Sequence, residues 1–319
     1  MNIYFAPLEG VTDVIYRRVH RECFSGVDKY FIPFISPTQH LTFTSRELKA
    51  VSPEENAGIP VVPQILTRNP EHFVWMAKSL GDVGYEEINI NIGCPSGTVT
   101  AKGKGSGMLR DLGALKQFLD DVFAQSPIAV SVKTRIGYES AEEWPKLLEL
   151  YAQYPISELI VHPRTRKEFY AGKAHHELCA PVLETGLPLV CNGDLNTAEE
   201  CRTLMETYPG AKAIMMGRGL VANPALAQEV RGGEHVTMEM LRHFHDRLYQ
   251  EYLEKWPKNA VIGHMHEIMS YMMYCFENPV KPRKAMRKAT KQETYLEAAN
   301  WLFDEFPLKK NPGFMTEEE

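Results

Sequence analysis

The sequence predicts an α/β protein, a closed (β/α)8 TIM barrel over residues 1–234 followed by a small all-α helical domain over residues 235–319. Three observations carry this. Short β-rich runs alternate with helical stretches up to about residue 222, and such alternation builds a parallel sheet. Eight of these units fit within about 220 residues, the size of one barrel, with a doubly wound open sheet as the competing arrangement. Past Arg231-Gly232-Gly233, which reads as a linker, the β-rich runs stop.

The strand runs are Ile3–Ala6, Lys29–Phe34, Val61–Leu66, Glu87–Ile92, Ile128–Ile136, Glu158–Pro163, Pro188–Asn192 and Ala211–Met216. Between them lie helical segments such as Pro70–Gly81, Leu112–Ala124, Ala141–Tyr151 and Thr197–Tyr208. Residues 36–60 are polar and irregular, as expected of a loop over the barrel mouth. In the second part Leu241, Phe244, Leu248 and Tyr252 recur at helical spacing and give one apolar face. A second helix carries Val261, Met265, Ile268, Met272 and Phe276 and stops at Asn278-Pro279. A third runs from about Lys281 to Lys291 and a fourth from Glu293 to Phe306. The acidic tail Thr316–Glu319 is expected to be disordered.

Composition narrows the function. The 319 residues are 44% hydrophobic and 24% charged, an ordinary globular balance. A net charge of -6 argues against a generic polyanion binder, so any nucleic-acid surface has to be a local patch. Cysteines at 23, 94, 179, 191, 201 and 275 form no CxxC pair, which argues for reduced thiols and a cytoplasmic location. No leader pattern or apolar stretch of membrane length is present, so no membrane partner is expected.

The run Asn91-Ile92-Gly93-Cys94-Pro95 ends the fourth strand. Gly93 permits a turn and Pro95 stops the ladder, which puts Cys94 at a rim, although buried structural cysteines are common. Barrels concentrate function at the C-terminal strand ends. In order these ends bring Pro7, Leu8 and Glu9 within Ala6–Asp13; Gln64; Asn91 and Cys94; Lys133 and Arg135; His162, Arg164 and Arg166; Asn192, Gly193 and Asp194; and Gly217, Arg218 and Gly219. One polar strand end means little; seven on one rim indicate a site. The last two sets suggest a phosphate cradle, with amides approaching the anion and Arg218 adding charge, against a plainer reading as two ordinary turns. Asn223-Pro224 reads as the N-cap and first residue of the next helix. Paired histidines at 175/176, 243/245 and 264/266 have poor chelate geometry, and no metal is expected.

These motifs closely resemble the tRNA-dihydrouridine synthases, FMN-dependent barrel enzymes with a helical C-terminal domain, over the whole chain. The resemblance also rests on Lys102-Gly103-Lys104-Gly105-Ser106-Gly107 and Lys133-Thr134-Arg135. Leu8 stands where the family usually has Met, and Asn89 where Asp is usual. The resemblance implies reduction of the C5–C6 bond of a D-loop uridine in tRNA. Flavin N5 supplies hydride, Cys94 the proton, and NADPH or NADH the electrons. A thiol with a pKa near about 8.5 is protonated at neutral pH and suits an acid. Pro7, Leu8, Glu9, Gln64, Lys133, His162, Asn192, Gly193, Asp194, Gly217 and Arg218 are then the FMN contacts, with Lys133 at the N1–C2 edge and Leu8 offering its amide. Asn91, Arg135, Arg164 and Arg166 are substrate or tRNA contacts.

The target base has to leave its stack, and a basic strip offsets that cost. Lys281, Arg283, Lys284, Arg287, Lys288 and Lys291 supply it, with no acid in residues 281–291. Lys284, Arg287, Lys288 and Lys291 are expected on one helix face, and Arg164, Arg166, Lys167, Lys102 and Lys104 are expected to extend the strip toward the barrel mouth. A monomer is the default. The competing readings are an FMN-dependent barrel reductase of a free small molecule, a Schiff-base aldolase using Lys133, and a non-catalytic tRNA-binding protein.

Overall fold

Eight parallel strands close into a barrel in the order in which they occur in the chain. They are β1 (Asn2–Phe5), β2 (Lys29–Ile35), β3 (Val61–Ile65), β4 (Glu87–Ile92), β5 (Ala129–Gly137), β6 (Leu159–Thr165), β7 (Leu189–Asn192) and β8 (Ala213–Met216). The computed structural model describes residues 1–314, and the acidic tail Thr316–Glu319 lies outside the described residues. Each expected strand run forms, with no end moved by more than two residues. In β4 the two-residue period sends Ile88, Ile90 and Ile92 to one face and Asn89 and Asn91 to the other. That second face, buried and polar, is where the site is built.

One carboxylate ties the lower end of the barrel. Glu158, 1% exposed, lies just before β6. Its Oε1 accepts from the Tyr4 hydroxyl at 2.8 Å and from the Lys29 and Lys212 ammoniums at 2.9 Å each. Burial pushes this carboxyl up, but the bonds from Lys212, Lys29 and Tyr4 outweigh it and hold the pKa below the ordinary value.

By compactness the described residues fall into two units that do not follow chain order. One contains Met1–Pro7, Lys29–Asp194 and Met205–Met215; the other contains Leu8–Asp28, Leu195–Leu204 and the chain from Met216. Within the second unit the helix Met238–Lys255 buries Leu241, Phe244, Leu248 and Tyr252, the stripe that the spacing predicts. The first helix, Val14–Cys23, packs on it. Tyr16 meets Phe244 edge-on at 5.5 Å, Arg18 pairs with Glu251, and the Tyr252 hydroxyl donates to Asp13 Oδ1 at 2.8 Å. Asp13 also caps the helix by accepting from Tyr16 N.

Four details differ from the sequence reading. Residues 36–60 contain a helix, Ser45–Ala50, started by a reciprocal capping box between Thr44 and Glu47. Asn223 does not begin a helix: it ends Arg218–Ala222, and its Oδ1 accepts from Ala225 N before Leu226–Val230 starts. The second C-terminal helix stops at Met272 and passes through a 3-10 turn, Met273–Cys275, so Phe276 is buried but not helical. The basic helix is Val280–Lys288. Lys291 therefore lies beyond it, at the start of Gln292–Glu305, and does not share its face.

Glu158→Ala leaves Lys29 and Lys212 without their shared acceptor. The expected cost is about 2–3 kcal/mol, less than for a fully buried pair because the Lys212 side chain is 44% exposed. Urea unfolding measures it, and an unchanged midpoint would remove the tie.

Candidate active site

Asn91 makes the turn that carries Cys94. Its Oδ1 accepts from Gly93 N at 3.1 Å and Cys94 N at 2.9 Å, closing a side-chain turn at the end of β4. Asn91 is itself held from below. Its Nδ2 donates to Gln64 Oε1 at 2.7 Å, Gln64 Nε2 donates to Asn89 Oδ1 at 2.8 Å, and Asn89 Nδ2 donates to Ser131 Oγ at 2.9 Å. All four side chains are buried. Asn91 and Gln64 thus bond each other, and each carboxamide nitrogen keeps a second hydrogen beyond these bonds.

The Gly-rich run clasps the same turn. Ser106 donates to the Cys94 carbonyl through both N, at 3.1 Å, and Oγ, at 2.9 Å. Gly105 sits at φ +56, and a Cβ there would lie 2.8 Å from the Cys94 oxygen. Cys94 is half-buried and in no disulfide.

Lys133 and Arg135 stand on the neighbouring strand β5, close enough to the Cys94 sulfur to interact with it electrostatically. Lys133 Nζ donates to Asn192 Oδ1 at 2.9 Å. Burial, followed by repulsion from Arg135, pushes its ammonium down to about 7. Arg135, expected to hold substrate, is buried and braces loops: it donates to the carbonyls of Gly93, Thr165 and Phe169 at 2.7–3.0 Å. Burial lowers its pKa to about 10, which leaves it charged at neutral pH.

Arg164 also differs from the expectation of an RNA-facing cation. It is 0% exposed, forks onto both oxygens of Asp194 and bonds the carbonyls of Ala171 and Gly172. Its Nη1 lies 3.1 Å from His162 Nε2. Arginine only donates, so Nε2 accepts and a neutral His162 carries its proton on Nδ1. At the Asn192-Gly193-Asp194 turn the Asp194 carboxylate is therefore taken by Arg164. Asn192 Nδ2 donates to the Met215 carbonyl, and the Gly193 carbonyl is 2.9 Å from His176 Nε2.

The remaining candidates divide by position. Pro7 and Leu8 are half-buried and Glu9 is exposed. The Leu8 amide, expected to be available to a cofactor, donates to Thr12 Oγ1 at 2.9 Å. Arg218 lies 4.8 Å from the Phe314 ring, next to Gly217. Gly219 is needed where chains cross, since a Cβ would meet the Leu195 oxygen at 2.2 Å. Arg166 lies over Tyr138 and Phe169. Lys281, Arg283, Lys284 and Arg287 are exposed. One residue was missed. Tyr170, 44% exposed, has its ring 5.3 Å from the Arg135 guanidinium and 5.9 Å from the His162 ring. Two adjacent aromatics after Arg164-Thr165-Arg166 were the available signal. No cluster of three or more potential metal ligands occurs among the described residues.

A family model described as dihydrouridine synthase matches residues 4–307. The chain is 33% identical over 264 residues to a Staphylococcus epidermidis protein named "Probable tRNA-dihydrouridine synthase", covering 80% of this chain and 78% of that one. It is 32% identical over 267 residues to "Probable tRNA-dihydrouridine synthase 2" of Bacillus subtilis, covering 77% and 78%. Among solved structures, morphinone reductase superposes with a TM-score of 0.53 at 12% identity, covering 74% of this chain and 87% of that one. At that identity the likeness speaks for the barrel alone.

Lys133 yields a pH test. Its folded pKa lies below the unfolded one, so the protonated side chain costs stability. That cost is complete below about pH 7 and fades as pH rises toward the unfolded value. Lys133→Met should therefore help stability more at about pH 6 than at about pH 10, whatever the pH-independent loss of the Asn192 bond. Urea unfolding at the two pH values reads the difference, and equal effects would contradict it.

Proposed function

This chain belongs to the dihydrouridine synthase family, and on that premise we propose that it reduces the C5–C6 bond of a D-loop uridine in tRNA. The observation that carries the reading is Cys94, held on a turn by four buried polar side chains and clasped by the Gly-rich loop, in range of Lys133 and Arg135. Cys94 Sγ delivers a proton to C5 of the uracil. Its backbone is fixed by Asn91 and Ser106, so the sulfur needs little reorganisation to reach the base.

A flavin fits the residues present. A half-buried ammonium that donates to a neutral amide oxygen, with its pKa pushed to about 7, favours an anionic group beside it. Flavin mononucleotide, when bound, supplies the hydride to C6 and is recharged by NADPH or NADH. Lys133 would hold that group and, with Asn192 fixing its Nζ, would offset negative charge there. His162 and the exposed Tyr170 ring offer contact to the extruded base. Residues 1–234 are read as the catalytic part and 235–319 as the RNA-binding part, in which Lys281, Arg283, Lys284 and Arg287 neutralise phosphates. A cytoplasmic monomer completes the reading. No helix among the described residues is long and apolar enough to cross a membrane.

Cys94→Ala tests the proposal. The protein should stay yellow with its flavin, while dihydrouridine in tRNA, measured by nucleoside mass spectrometry, forms about 10²–10⁴-fold more slowly; wild-type turnover would eliminate the acid. Replacing Arg283, Lys284 and Arg287 with Gln should make the salt dependence of tRNA binding shallower by about 2–3 in log–log slope. A flavoprotein whose tRNA binding ignores salt would instead favour a reductase of a free small molecule.

A further inference from the structure

Three cations crowd together beside the Cys94 turn. The short helix Gly97–Thr100 ends in a paired closure in which Lys104 N donates to the Val99 carbonyl and Gly103 N to the Thr100 carbonyl. Gly103 takes the left-handed conformation that this closure needs, at φ +65. The Arg68 side chain lies across the turn: a Cβ on Gly103 would meet its Nη1 at 3.2 Å and its Cδ at 3.4 Å. Lys102 and Lys104 flank the glycine. Burial, then Lys102 and Arg68, push the Lys104 ammonium down.

Among the described residues no carboxylate pairs with any of the three. Some other surface cations have a carboxylate partner, as Lys116 has Asp120 and Lys167 has Glu139. The two lysines are not needed as helix caps, because the turn already closes the carbonyls of Val99 and Thr100. Like charges held together without a counterion cost folding free energy, and a bound anion relieves that cost.

We propose that Arg68, Lys102 and Lys104 bind the RNA phosphodiester adjoining the nucleotide that enters at Cys94, an inference that rests on the synthase reading. The loop itself argues for this occupant. Gly105 and Ser106, the next two residues, are the ones that clasp the Cys94 carbonyl, so the trio stands one residue from the turn that the target base has to reach. Arg68 and Lys102 are exposed and Lys104 is half-buried, which suits a polymer passing across the surface. Arg68 offers a planar fork to two phosphate oxygens, and the lysines offer point charges. Anchoring a backbone phosphate here would oppose return of the extruded nucleotide to its stack.

The test is the triple variant Arg68→Gln, Lys102→Gln, Lys104→Gln in the flavin-loaded protein, with tRNA binding measured from about 50 to 200 mM salt. The expected result is a log–log salt slope shallower by about 2 and a KM for tRNA raised about tenfold. The charge-preserving pair Lys102→Arg, Lys104→Arg should keep the wild-type slope. If the triple variant does not fold, Lys102→Gln alone, at an exposed position, should still reduce the slope by about 0.7–0.9. An unchanged slope overturns the proposal. So does a defect confined to the KM for NADPH, which would give the trio to the phosphate of the reductant. Wild-type protein that binds no tRNA would bring down the synthase reading itself; wild-type binding with an unaltered variant slope brings down this site alone.

Discussion

A line of buried hydrogen bonds decides where the Cys94 sulfur is. It runs from the Ser131 hydroxyl on β5 through Asn89 on β4, across to Gln64 on β3, back to Asn91 and out to the backbone amides of Gly93 and Cys94. Each carboxamide gives with nitrogen and receives with oxygen, so the line has one polarity and each member fixes the orientation of the next. Away from water such bonds are strong, and a broken one strands a buried partner at about 1–3 kcal/mol. The line therefore has few alternative arrangements. Asn89 fits it: an Asp, usual in the family at this position, would present two acceptors, whereas the Asn both receives from Gln64 and gives to Ser131.

Much of the charge on the barrel rim is spent on the rim. Arg135 stitches the Cys94 turn to the loop after β6, and Arg164 stitches that loop to Asp194 after β7. Both are buried, and both neutralise carbonyl dipoles or a carboxylate that would otherwise be stranded. Lys133 stands apart because it donates to a neutral amide oxygen. This separates arginines that build the mouth from a lysine whose charge is available to a ligand.

The barrel was legible because the strand–helix period repeats eight times and because Gly and Pro punctuate it. The position of Cys94 at a strand end was legible for the same reason. Partner choice was not. Asn91, Gln64, Arg135 and Arg164 carry the donors and acceptors of ligand-binding residues, and only three-dimensional neighbours reveal which protein groups they bond. The Leu8 amide was misjudged likewise, since a threonine four residues on is close enough to take its hydrogen. The helix at Ser45–Ala50 had a local signal, Thr44 with Glu47 three residues later, which the polar composition around it obscured.

The first helix has a consequence for how the chain is made. Val14–Cys23 leaves the ribosome early, yet Tyr252, which bonds its capping Asp13, lies 239 residues downstream, and Glu251, the partner of Arg18, lies 233 downstream from it. At about 5–20 residues per second, roughly ten to fifty seconds separate the two syntheses. During that interval the aromatic face of the helix waits for Phe244. A polypeptide cut after Gly233 would keep it waiting indefinitely, with an apolar surface available to chaperones or to aggregation, so the helix Met238–Lys255 completes the covering of the first one.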